Sequence, residues 1–304
     1  MLFRSEAVMN RSVLKGGKRL RPFLMAEFGE LFGIQAEQIR PFARAAEQVH
    51  SATLAHDDVI DGSDKRRGLP TLNARIENRR AVLGGDYLLA EGIFEVARQG
   101  NFAVLESLSA TLRELVTGEL LQNEARGRAD VSAAHILRVA DLKTGSLFRW
   151  CCAVPALLSN SGEEAIRLTH QFATRLGTGF QWVDDALDYS KDSGKPYAQD
   201  LREGLVNEVT RHLLQNFPDS KPVVESFLSK DLTDSDVELK LPWTESEIEA
   251  AKRETKDQAM AQFASARRYL SDLILELKNG GRMPSEAAVK KVERILDQLE
   301  RREK

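Results

Sequence analysis

Asp57, Asp58 and Asp61, and again Asp184, Asp185 and Asp188, repeat one spacing, i, i+1, i+4, in the segments TLAHDDVIDGSDKRRG and GFQWVDDALDYSKDSGK. On a helix this spacing crowds three carboxylates onto about one turn. Like charges at i, i+4 destabilise a helix by about 0.2–0.5 kcal/mol, and desolvating them costs far more, so the pattern calls for a cation. Ligands that are all oxygen select a hard ion such as Mg²⁺, which keeps some waters and completes its octahedron with phosphate oxygens. A single triplet reads equally well as a solvated acidic helix end; a second copy is much harder to attribute to chance. A calcium loop is a weaker rival. Gly62 and the acids at 57, 61 and 64 echo one, but the alternation of ligands and the terminal Glu are missing.

Cations accompany the acids. GGKRLRP places Lys18, Arg19 and Arg21 after Gly16-Gly17, and Arg66-Arg67 follow the first acidic segment within ten residues. Arg offers a fork that matches two phosphate oxygens, and Lys a compact point charge. Alone, such clusters are more often a solvated surface or a nucleic-acid patch. A nucleic-acid groove is not ordinarily lined with six carboxylates, whereas a pair of diphosphates needs one metal-bound site and one built from cations.

The elements that must position these groups read as helices. Apolar residues recur every three or four positions, as in Leu105, Leu108, Leu112, Leu115, Val116 and Leu120, and no alternating β-branched run makes a convincing strand. The spacing predicts an all-α chain. Breaks are expected at Gly62–Pro70, Gly100–Asn101, Asn160–Gly162, Ser190–Pro196, Phe217–Pro222 and Asn279–Pro284. One domain over 1–304 is expected, with an irregular connection at 216–244 and C-terminal helices over 245–304. The last of these carries Ala288, Val292, Ile295 and Leu299 on one stripe.

At 304 residues and 42% apolar content the chain can bury a large core. Its 43 basic and 46 acidic residues leave a net charge of -3, which gives no global pull toward nucleic acid. Cys151 and Cys152 are neighbours, a poor structural staple, which suits a reducing cytoplasm. No signal-peptide pattern opens the sequence, and no apolar run approaches the roughly 20 residues of a membrane span.

From Gly16 to about Gly204 the motifs GGKRLRP, HDDVID with RRGLPTLN, GDYLLA, GELLQ, KTGSLF and GFQWVDDALD resemble, in order, those of the all-trans polyprenyl diphosphate synthase family. The resemblance implies a helical bundle of the isoprenoid synthase type with a central active-site cavity, usually as a homodimer. It implies condensation of isopentenyl diphosphate with an allylic diphosphate, helped by Mg²⁺, with three ions expected per site held by the two Asp triplets. By position, Lys18, Arg21, His50 and Arg67 would bind isopentenyl diphosphate. Arg66, Lys143 and Gln181 would bind the allylic diphosphate, with Thr144 beside Lys143 and Lys195 as a further phosphate ligand. Ionisation would turn on Asp57, Asp58, Asp61, Lys143 and Asp184. For Tyr87 and Phe148 core packing is the better reading.

Two features depart from the family. Its DLREGK-type segment reads DLREGLVNEVT here, with Leu205 at the Lys position, so that one phosphate contact is lost unless a cation such as Arg202 compensates. Only 15 residues precede Gly16. Two other functions share part of this pattern. A class I terpene cyclase has no second diphosphate to hold, and a non-catalytic subunit of a heteromeric synthase usually loses an Asp motif. Ala52 and Thr53 lie five and four residues before Asp57, about 6–7.5 Å deeper along the helix. Neither is aromatic, which predicts a growing tail that runs past them to C20 or longer, in the range C30–C50.

Overall fold

A computed structural model describes residues 19–62, 65–66, 69–190, 197–229 and 241–302, with side chains left aside at 65, 66 and 69. The predicted Lys18, Arg67 and Lys195, and the side chain of Arg66, lie outside the described residues.

The fold is all-α. Helices run over Leu20–Leu31 (α1), Ala36–Ile60 (α2), Leu72–Ile76 (α3), Asn78–Ala97 (α4), Phe102–Ala125 (α5), Ala133–Val139 (α6), Ser146–Leu158 (α7), Glu163–Asp188 (α8), Gln199–Arg202 (α9), Glu208–Asn216 (α10), Lys221–Leu228 (α11), Glu245–Asn279 (α12) and Glu286–Glu300 (α13). A π-helical segment, Ala140–Gly145, joins α6 to α7. A two-residue antiparallel ladder, Lys65–Arg66 (β1) with Leu69–Pro70 (β2), pairs Lys65 with Pro70 and Arg66 with Leu69, within a stretch expected to be a plain break.

Two compact units divide the chain. The first takes residues up to Thr111, Arg149–His170 and Asp272–Val292; the second takes Leu112–Phe148, Gln171–Ser271 and residues from Glu293 on. In the first unit α2 lies along α4. A Cβ on Gly92 would sit 3.4 Å from the Ala45 carbonyl oxygen and from Val49 Cγ2, so the two helices approach closely there. Arg44 on α2 pairs with Glu95 on α4 at 2.8 Å. Leu24, Phe28, Phe42, Val49 and Val96 are buried in this unit. Lys291 bridges α13 to Glu27 and Glu30 of α1, and Arg282 donates to the carbonyls of Phe32 and Ser159.

In the second unit Tyr189, Leu201, Val209, Leu213, Val224, Trp243 and Ile248 share one core. Trp243 Nε1 donates to Ser220 Oγ at 3.1 Å. The expected irregular connection at 216–244 is therefore corrected in part. Pro218 opens a 3₁₀ turn and Pro222 lies in the first turn of α11. Proline there gives up only an N–H that has no helical partner, so it starts these helices rather than breaking them. The expected breaks at 62, 100, 160 and 281 carry left-handed residues, with Gly100 at φ 69° and Asn160 at φ 49°, while the break after Ser190 lies outside the described residues.

The stripe on α13 is as expected, with Ala288, Val292, Ile295 and Leu299 buried. On α5 the apolar residues divide between faces. Leu108 and Leu115 are buried, whereas Val116 and Leu120 are exposed at 60% and 58%, a second apolar face that a 3.6-residue period alone does not assign to a core. Phe148 is fully buried, as expected. Tyr87 is not a core residue, for it is 39% exposed. The inward face of α4 belongs instead to Gly84, Gly85 and Leu88.

Candidate active site

Both aspartate triplets end long helices. Asp57 and Asp58 occupy the last turn of α2, Asp61 caps it, and Gly62 then takes φ 63°, a left-handed turn that suits glycine and stops the helix. Asp184, Asp185 and Asp188 close α8. Neither last turn contains a basic residue. The helix dipole is negative at that end, so each carboxylate there is disfavoured by about 0.3–1 kcal/mol, a cost that a bound cation removes. The donor chemistry thus fits Mg²⁺. Among the described residues no three His, Cys, Asp or Glu side chains converge as a preformed metal cage.

In the first unit Asp58 is buried at 5% exposure, and Asp57 and Asp61 are half-buried. His56 braces the end of α2 on α4, with Nε2 3.2 Å from the Val82 carbonyl oxygen and 3.2 Å from Asp86 Oδ1. On the other side Asn73 Nδ2 donates to the Asp58 carbonyl at 3.2 Å. The Arg21 guanidinium donates to His50 Nε2 at 3.2 Å, which brings together two of the residues assigned to isopentenyl diphosphate. Thr53 Oγ1 donates to the His50 carbonyl at 2.8 Å, and Ala52 is buried.

In the second unit α8 and the π segment carry a linked set. Thr144 Oγ1 donates to Gln181 Oε1 at 2.8 Å, and Gln181 Nε2 donates to Asp185 Oδ1 at 2.9 Å. Lys143 pairs with Glu119 on α5 at 2.5 Å. Glycines on the neighbouring helices lie close against this π turn. A Cβ on Gly118 would come within 2.7 Å of the Lys143 backbone nitrogen, and one on Gly177 within 2.8 Å of Gly145 Cα.

The three carboxylates of α8 have different settings. Asp185 Oδ2 also accepts from the Glu208 N–H at 3.0 Å. Burial, with the Asp200 charge nearby, pushes its carboxyl well above the usual range. Asp188 accepts from the backbone N–H groups of Gln199 at 2.9 Å and Asp200 at 3.2 Å, and from Asn207 Nδ2 at 3.4 Å. Asp184 is the most exposed of the three, its side chain 26% accessible, and Oδ1 lies 2.8 Å from Arg302 Nη1. Leu205 is half-buried, its N–H donating to the Asp200 carbonyl, while Arg202 Nε donates to the carbonyl of Tyr197.

Sequence reasoning assigned no role to Glu119, Asn207 or Arg302. Glu119 stands inside the GELLQ signature. Asn207 caps α10 by accepting from the Thr210 N–H at 3.0 Å, and its place just before an amphipathic run was a legible capping signal. Arg302, far along the chain, carried none.

The polyprenyl synthetase family model matches residues 4–241. A protein named prenyl transferase from Synechocystis sp. is 30% identical over 290 residues, covering 93% of this chain and 86% of that protein. A decaprenyl-diphosphate synthase from Dictyostelium discoideum is 35% identical over 219 residues, covering 70% of this chain; the match spans 47%, about half, of that relative's length. Among solved structures, a decaprenyl diphosphate synthase from Rhodobacter capsulatus superposes with a TM-score of 0.83 at 26% identity, covering 99% of this chain and 90% of that one. A polyprenyl synthase from Caulobacter crescentus, complexed with calcium and isoprenyl diphosphate, gives 0.79 at 26% identity, covering 98% and 89%. The chain belongs to the polyprenyl synthetase family of prenyltransferases.

Proposed function

We propose that this chain condenses isopentenyl diphosphate with an allylic diphosphate to give a linear all-trans polyprenyl diphosphate of C20 or longer, in the range C30–C50. The observation that carries the proposal is the pair of aspartate triplets, each set in the last turn of a long helix that has no basic residue there. Asp57, Asp58 and Asp61, with Asp184, Asp185 and Asp188, are the proposed ligands of Mg²⁺. When bound, the metal neutralises charge developing on the leaving diphosphate. Lys143 would hold the allylic diphosphate, with Thr144 and Gln181 fixing the adjoining hydrogen bonds. Arg21 and His50 would hold isopentenyl diphosphate. Ionisation of the allylic C–O bond leaves a cation that the isopentenyl double bond attacks, and loss of a proton to the departing diphosphate restores an allylic product. Apolar surroundings would keep water from trapping the cation.

A single domain, three Mg²⁺ ions, a homodimer and a reducing cytoplasmic setting are parts of the same proposal. Leu83, Tyr87 and Phe94 form an exposed apolar stripe on α4 that supports self-association. Both cysteines are buried free thiols, and no helix among the described residues is long and apolar enough to cross a membrane. A relative from Geobacillus stearothermophilus is named heptaprenyl diphosphate synthase component 2, which keeps a two-component assembly as the second reading. The test is incubation of the purified chain alone with isopentenyl and farnesyl diphosphates, with products resolved by mass. Elongation supports the proposal. No turnover supports the two-component reading, and cyclised hydrocarbon overturns both.

A further inference from the structure

The last helix delivers a cation to the second aspartate motif. Arg302 Nη1 lies 2.8 Å from Asp184 Oδ1, with the Arg302 side chain only 17% exposed. Its guanidinium carbon sits 5.1 Å from the centroid of the Phe180 ring, one turn before Asp184 on α8. The approach is anchored from behind, because Arg267 on α12 holds Asp297 at 2.7 Å and Glu300 at 3.0 Å in the last turn of α13. A guanidinium stays charged at any working pH, and its stacking on an aromatic face adds to the hold. The neighbouring carboxylates already accept hydrogen bonds, Asp185 from Gln181 and Glu208, and Asp188 from Gln199 and Asp200. Arg302 therefore engages the most exposed carboxylate of the motif.

We propose that Arg302 is a built-in place-holder cation, which neutralises Asp184 until a divalent ion takes the carboxylate and thereby couples metal binding to release of the C-terminal residues. The inference rests on the reading of Asp184 as a metal ligand. Two cations that compete for one carboxylate oxygen are linked reciprocally: whatever Arg302 removes from metal affinity, the metal removes from the docking of Arg302. Lysine is a less faithful substitute, since it keeps the charge but lacks the planar group that sits over Phe180.

The experiment titrates the full chain, without diphosphate, with Mn²⁺ and follows free metal by electron paramagnetic resonance. Four proteins are compared: wild type, Arg302→Gln, Arg302→Lys and Asp184→Asn. Arg302→Gln should bind Mn²⁺ about tenfold more tightly at the site that Asp184→Asn abolishes, with Arg302→Lys between it and wild type. In wild type, saturating Mn²⁺ should speed amide hydrogen exchange over 297–302, and it should not do so in Asp184→Asn. Equal Mn²⁺ affinity in wild type and Arg302→Gln, with binding lost in Asp184→Asn, overturns the place-holder while the metal assignment stands. Unchanged Mn²⁺ binding in Asp184→Asn overturns the metal assignment and the place-holder with it.

Discussion

Replacing Gly118 with alanine sets helix propensity against packing. Alanine is favoured over glycine inside a helix by about 1 kcal/mol. The new methyl would lie 2.7 Å from the Lys143 backbone nitrogen and 2.9 Å from Leu142 Cβ, neither of them the free end of a flexible side chain. Restoring an ordinary contact of 3.4 Å displaces the π segment by about 0.7 Å. Overpacking of this kind costs about 1–3 kcal/mol, so Gly118→Ala should be less stable than wild type by roughly 0–2 kcal/mol. The effect on catalysis should be larger. Å-scale misplacement of a positioned group costs up to about 10²-fold, and moving Lys143 and Thr144 by a large part of that should lower kcat/KM for the allylic substrate about 10- to 100-fold. The KM for isopentenyl diphosphate should stay within about twofold. Urea unfolding and initial rates with each diphosphate varied in turn measure both effects. A variant stabilised by the full helix-propensity gain, with allylic kcat/KM unchanged, would refute the claim that glycine contacts hold this segment in place.

Asp57→Ala should fold normally and lose several powers of ten in turnover; near-wild-type rates in a steady-state assay would remove Asp57 from the metal site. Ala52→Phe should shift products toward C15, read by mass, because an aromatic ring and a prenyl tail cannot share one space; an unchanged distribution places the tunnel elsewhere. Leu205→Lys should remain active with a lower allylic KM, and a collapse of activity would show that the loop after Gly204 serves another purpose. Burial alone would raise the Glu208 carboxyl, but hydrogen bonds from Arg211 and His212 hold it below its ordinary value of 4.5. A depressed carboxylate stabilises the fold above its unfolded pKa, and that contribution fades as pH falls below about 4.5 through the folded value. Glu208→Gln should therefore be less stable than wild type at neutral pH in urea melts, with the difference narrowing below about pH 4.5; a constant difference would count against the ion-pair account.

Much of this molecule was legible because helices write their period into sequence. The long α2, α8 and α12 announce themselves by apolar spacing, and the repeated Asp pattern survives any uncertainty about their ends. What escaped was fixed by tertiary contact. Glycines at 118 and 177 pack closely on the π segment, and neither sequence position signals a widened turn at 140–145. α11 hid behind prolines that look like breakers until their place in the first turn is known. Tyr87 has the residue type of a core position but faces outward. Arg302 reaches Asp184 across more than a hundred residues of chain, a pairing that no local pattern encodes.

That pairing changes what an approaching ion feels. The second motif spells three negative charges, yet Asp184 is matched by a guanidinium. Beyond a Debye length of about 8 Å at physiological ionic strength, exposed charges are largely screened, so the repulsion that matters to an incoming diphosphate is local. A motif discounted in this way repels that anion less than its composition suggests. On the place-holder proposal, diffusional encounter with the diphosphate should depend only weakly on salt, and strong attraction for a divalent ion should develop once the guanidinium has moved aside.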